Sequence, residues 1–126
     1  MDTEGLLIGC LVTPADVGDR EAAKGLLRRF WLRLPRLTRI WADGNYDGPL
    51  VEWVKHCWGY TLEIVVKPEG QKGFSVLPRR WVVERTFAWL GKQRRLSKDY
   101  EEKPASSEAF IQIAMSALMI RRLAPA

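Results

Sequence analysis

Residues that bind metals through nitrogen or sulfur are scarce in this 126-residue chain. It has one histidine, His56, and two cysteines, Cys10 and Cys57, which lie far apart and form no CxxC pair. A structural zinc site draws on about four such ligands at short spacing. Both thiols are therefore expected to be buried and reduced, and His56, at an expected helix end, to cap or pack. No run approaches the roughly 20 consecutive apolar residues that cross a bilayer, so no membrane partner is expected. The first residues, Met1-Asp2-Thr3-Glu4-Gly5, carry two acids and lack the basic stretch of a secretory signal. The expected location is the cytoplasm. Internal repeats are absent too, which excludes a solenoid.

What is present is an ordinary soluble composition with an uneven charge. The chain is 47% apolar and 28% charged, with a formal charge of +5. Its length suits one domain with one modest core. Between Arg20 and Arg39 stand seven basic residues against one acid, Glu21. Between Gln71 and Lys98 stand eight basic residues against Glu84 alone. Such blocks serve either as solvated helix faces or as sites that attract polyanions through phosphate contacts. Arginine predominates, and its planar fork matches phosphate geometry, which favours nucleic acid.

Patterning predicts alternating strands and helices. The run from Leu6 to Val12 reads as a buried strand preceded by a turn at Thr3-Glu4-Gly5. A hairpin turn needs a strand on each side, so the chain is expected to open after a partner strand. Asp19 is expected to cap a helix that starts near Arg20 and stops at Pro35. Leu37 to Ala42 reads as a strand ending at a tight turn, Asp43-Gly44-Asn45. Pro49 opens the next helix and Gly59 stops it. Tyr60 to Val66 is a β-branched strand, and Glu69 to Phe74 a loop. A long helix is expected from Pro78 to Arg95, a polar linker from Ser97 to Lys103, and a last helix from Ala105 to Leu123. The order implies an α/β layered domain with some parallel pairing.

Two acids occupy positions where a carboxylate is unusual. Asp43 falls just past a strand end, where ligands gather in open α/β sheets. Glu84 stands alone inside the basic helix. At about 100° per residue it shares a face with Arg80, Ala88, Gly91 and Arg95, opposite Val82, Trp89 and Leu96. Small residues one and two turns on leave room for an ion and a phosphate. Magnesium prefers carboxylate oxygens, and two such ions about 4 Å apart can activate an attacking oxygen and stabilise a leaving one. Such a centre takes about three acids, and two are found. The plain alternatives are a turn cap for Asp43 and an Arg80–Glu84 helical pair, worth a few tenths of a kcal/mol.

Several segments resemble one family. Ala42-Asp43-Gly44-Asn45-Tyr46-Asp47-Gly48 is similar to the A-D-x-G-Y motif around the second catalytic aspartate of DDE transposases of the insertion-sequence-five group, within the insertion-sequence-four-like class. The stretch from Lys72 to Leu90 resembles the segment carrying the catalytic glutamate, and Arg94 to Glu101 the R-R-L-x-x-D-Y-E continuation. Asp2 to Gly5 and Ala15 to Arg20 resemble the family's second-to-third strand hairpin and the loop after it. The resemblance covers essentially the whole chain and is most specific from Pro78 to Tyr100.

The resemblance implies an α/β, incomplete ribonuclease-H-like fold, a mixed sheet flanked by helices with its N-terminal strand missing. Residues 1–126 would form the C-terminal part of one catalytic domain. Asp43 and Glu84 would be catalytic and would bind metal, with two Mg2+ (or Mn2+) ions in the complete site. Arg80 corresponds to the arginine of the Y-R-E-K signature. The signature's tyrosine falls on Leu77, and its lysine on Gly91 with Lys92 beside it, so the chain departs from the pattern at both. Arg80, Arg85, Lys92, Arg94, Arg95 and Lys98 would hold DNA phosphate. The family's first aspartate has no counterpart here, so the chain alone is expected to be inactive. The implied partners are double-stranded DNA (terminal repeats and target), a second copy, or the upstream half of the transposase, in the nucleoid. A non-catalytic DNA-binding remnant and a small two-acid nuclease are the other readings.

Overall fold

The computed structural model describes residues 1–65 and 80–125, with the side chains of Arg80 and Trp81 outside that set. The chain divides into two compact units, Asp16–Trp81 and Met1–Ala15 with Val82–Ala126, each described by itself below. The expected loop from Glu69 to Phe74 and the first residues of the long helix lie outside the described residues.

The unit Asp16–Trp81 is a strand–helix–strand arrangement with one more helix. Helix α1 spans Asp19–Phe30 and runs into a 3-10 turn at Trp31–Arg33. Strand β1 is Arg39–Ala42, helix α2 is Pro49–Trp58, and strand β2 is Thr61–Ile64. β1 and β2 pair in parallel, with Ile40 opposite Leu62 and Ala42 opposite Ile64. A parallel pair needs a crossover connection, and α2 supplies it. Proline at its first position and Gly59 at its C-cap bound α2 as expected. Gly59 has φ 72°, ψ 9°, the left-handed region that glycine enters without a Cβ penalty. Leu50 and Val54, four residues apart on α2, are buried with Tyr60 and Leu62, and Ala23 and Leu27 of α1 pack against them. Cys57 was expected inside but is exposed, because Trp58 takes the next inward position.

Asp19 does not cap α1. Gly18 is the N-cap and no side chain accepts a cap bond there. Asp19 lies in the first turn instead, where its charge still favours the helix dipole.

In the other unit, helix α3 (Arg80–Gly91) and helix α4 (Pro104–Leu123) are the long elements. α3 ends at Gly91, earlier than the expected Arg95. Lys92 and Gln93 donate to carbonyls three residues back, and a separate 3-10 turn follows at Arg94–Leu96. Arg95 therefore does not continue the Glu84 face of α3. Among the described residues of this unit, Gly5, Val82, Thr86 and Met115 are buried. The Thr86 hydroxyl donates to the Val82 carbonyl at 2.9 Å, which satisfies it inside the helix.

The expected strand from Leu6 to Val12 does not form, and the described sheet is parallel rather than mixed. The turn before it does form. Asp2 N–H bonds to the Leu6 carbonyl, and the Asp2 carboxylate accepts from Glu4 and Leu6 N–H, both at 2.9 Å. Beyond the turn, Val12 N–H bonds the Glu108 carboxylate of α4 at 2.9 Å. The regular elements of this unit are helices, whose backbone groups are already paired internally and offer no edge for a ladder. Among the described residues no helix is long and apolar enough to cross a membrane.

Two glycine substitutions separate conformational need from propensity. Gly59→Ala should lower stability by about 1–2 kcal/mol, since alanine resists the left-handed region. Gly91→Ala meets no described atom within 4 Å of the new Cβ, and should raise stability by about 0.4–1 kcal/mol. Urea unfolding of the two variants checks both signs.

Candidate functional site

Asp43 follows the last residue of β1. The Val65 N–H donates to the Ala42 carbonyl at 2.8 Å, so the parallel ladder is pinned up to the residue before it. Asp43 is half-buried and extended, φ −79°, ψ 178°. Its Oδ1 accepts from the Asn45 N–H at 2.9 Å and caps the 3-10 turn Gly44–Tyr46. A carboxylate has about four acceptor sites. The cap uses one of them, so capping and ion binding are compatible in the same side chain.

Two neighbours of Asp43 are not evident from composition or periodicity. An open depression beside it is lined by Gly18, Asp19, Arg20, Gly44 and Asn45. The Arg20 Nε donates to the Asp47 carbonyl at 2.7 Å, tying α1 to the loop that follows Asp43. Burial pushes the Tyr46 phenol above its usual 10, and the charges of Asp19 and Asp43 push it the same way. Its stabilising contribution is present below pH 10 and is lost as pH rises through the elevated folded value. The sequence signal for Tyr46 is its place three residues after Asp43, one helical turn on.

Glu84 lies on the exposed side of α3, with Ala88 and Gly91 also exposed, while Val82 and Thr86 face inward. The Arg80 side chain lies outside the described residues. The other five expected DNA contacts divide into two sets. Lys92, Arg94 and Lys98 are exposed and make no ion pair among the described residues. Arg85 and Arg95 are engaged internally. Arg85 donates to the Glu4 carbonyl at 3.1 Å and lies 4.5 Å over the Trp89 ring, with Arg122 5.6 Å from the same ring. Arg95 pairs with Glu101 and lies near the rings of Tyr100 and Phe110.

Asp43 belongs to one unit and Glu84 to the other. Among the described residues no group of three or more His, Cys, Asp or Glu side chains could hold a metal ion. Asp43 supplies hard oxygen of the kind magnesium prefers, but the described donor set is smaller than a divalent ion needs. His56 and Cys57 are exposed on α2, and the Cys10 Sγ lies 4.0 Å from the Glu108 carbonyl.

The profile of the transposase DDE domain matches residues 1–120 of the chain. A protein of Burkholderia cepacia named as the transposase for insertion sequence element IS402 is 29% identical over 121 residues, covering 89% of this chain and 56% of that protein. The chain thus spans about half the length of the curated relative it matches. No solved structure matches.

Two measurements test the local geometry. Asp43→Ala should cost about 1 kcal/mol through loss of the cap, whereas Asp43→Asn, which keeps an acceptor, should cost a few tenths at most. In a spectrophotometric titration, Asp19→Asn should move the Tyr46 phenol down toward 10 without reaching it, because burial is the larger cause. An unmoved titration would show that Asp19 does not act on that phenol.

Proposed function

The chain belongs to the transposase DDE family, and from that premise we propose that it is the C-terminal part of an insertion-sequence transposase. The finer assignment is the insertion-sequence-five group, with both units contributing to one ribonuclease-H-like catalytic domain. The observation that carries this reading is Asp43 at the C-terminal end of a parallel strand whose crossover is a helix. That is where open α/β sheets bind ligands. The 56% coverage of the relative supports a partial chain.

In the complete enzyme, Asp43 and Glu84 would each supply a carboxylate toward Mg2+ or Mn2+, with a further aspartate from outside this stretch. Such ions supply Lewis acidity to a phosphodiester and to its attacking oxygen. The roles of this chain's residues are simpler. The cap from Asn45 N–H fixes the rotamer of Asp43, and the exposed face of α3 presents Glu84. Arg80, Lys92, Arg94 and Lys98 bind DNA phosphate; Arg85 and Arg95 contribute positive field while bracing their own unit. The partners are duplex DNA, at the terminal repeats and target, and either a second copy or the upstream half of the transposase.

A second reading is a non-catalytic DNA-binding remnant acting in the nucleoid. Lys92, Arg94 and Lys98, exposed and without an ion pair among the described residues, suit this reading, since phosphate binding by them needs no metal.

The chain alone should bind duplex DNA with a steep salt dependence and leave it uncut in Mg2+ or Mn2+. Strong metal-dependent cleavage by the isolated chain would refute the partial-site reading. With upstream residues restored, Asp43→Asn and Glu84→Gln should each lower strand cleavage by more than about 100-fold. That is the upper end of what loss of an outer-shell partner causes. A smaller loss would remove that acid from the metal-binding set.

A further inference from the structure

Apart from Arg20, which lines the depression beside Asp43, the basic block between Arg20 and Arg39 has no part in the proposed function, and its members fare differently. Arg39 is paired across the ladder, its Nη1 2.8 Å from Glu63 Oε2. Arg20 is tied to the Asp47 carbonyl. Lys24 and Arg28 converge on one ring: the Lys24 ammonium lies 5.2 Å and the Arg28 guanidinium 5.3 Å from the centroid of Trp53 on α2. The acid beside them is Glu21, which is 3.6 Å from Lys24 with its own side chain 68% exposed. A pair so open to water does little to cancel the lysine charge.

Like charges four residues apart on a helix repel by a few tenths of a kcal/mol. Gathering both over one indole leaves that repulsion in place, while the negative face of the ring restrains the two side chains. The result is a pair of cations, borne on residues about 6 Å apart along the helix axis, with part of their rotamer entropy already removed. A polyanion gains from this arrangement and the folded chain alone gains little.

We infer that the α1–α2 face, through Lys24 and Arg28 held over Trp53, is a second DNA contact that grips the duplex backbone without reading bases. It takes the identity of the polyanion from the reading of the chain as part of a transposase. It draws on residues other than the α3 set of Arg80, Lys92, Arg94 and Lys98. Trp53 acts as a positioning residue: its ring is covered by the cations and holds them in place, and it does not stack on a base.

The test is anisotropy of a labelled duplex with the full chain across a salt series. Lys24→Gln with Arg28→Gln removes two charges while keeping good helix formers. The slope of log affinity against log salt should fall by about 1.8, so the affinity lost between 50 and 200 mM salt becomes about twelvefold smaller. Trp53→Phe keeps both charges, so the slope should hold while affinity falls about two- to fivefold. In the unmodified chain, duplex DNA should suppress acetylation of Lys24, read by mass spectrometry; this arm does not depend on any variant folding. An unchanged slope in the double variant, or undiminished Lys24 acetylation, overturns the inference. If Lys92→Gln with Arg94→Gln and Lys98→Gln still flattens the slope in that case, the transposase reading survives alone. No duplex binding at low salt overturns both.

Discussion

The parallel ladder between β1 and β2 holds the candidate chemistry in place. Two four-residue strands make a small sheet, and its backbone bonds alone could not keep it formed. It persists because α2 lays Leu50 and Val54 against it and α1 adds Ala23 and Leu27. The ladder continues to the Ala42 carbonyl, which accepts from Val65. The chain then leaves the sheet at Asp43, and the carboxylate is caught by the Asn45 N–H. Sheet end, cap and crossover helix are one unit of construction, so a change in any of them moves the acid.

The surplus of positive charge is handled in two ways. Some cations are absorbed within their unit, as Arg39 is by Glu63 and Arg95 by Glu101. Others lie over aromatic rings, as Arg85 and Arg122 do at Trp89, and Lys24 and Arg28 at Trp53. A ring restrains a cation without neutralising it. Two of the tryptophans, Trp53 and Trp89, thus have a purpose besides burial: they steady arginines and lysines that a polyanion would meet. Lys92, Arg94 and Lys98 stay exposed just beyond α3, which leaves open basic ground at the end of that helix.

Elements whose order comes from nearest neighbours were legible in the chain itself. Pro49 and Gly59 bound α2, α4 starts one residue before the expected Ala105 and ends at the expected Leu123, and the turn at Asp2 to Gly5 forms through the Asp2 carboxylate. The inward face of α3 followed from helical spacing, with Val82 inside and Glu84 outside. Expectations failed where a distant partner had the casting vote. Leu6 to Val12 has the composition of a strand, yet its unit offers helices and no sheet edge. Gly91 ends α3 early and sends Arg95 to Glu101.

By itself, then, the sequence determined the family, the order of helices and strands through most of the chain, and the two acids worth following. These depend on local propensity, capping and motif spacing, which act over a few residues. Tertiary structure alone decided that Tyr46 feels Asp19, that Lys24 and Arg28 share the Trp53 ring, and that a strand-like segment bonds a helix side chain. Each of these depends on which groups meet across tens of residues, and neither periodicity nor composition carries that information.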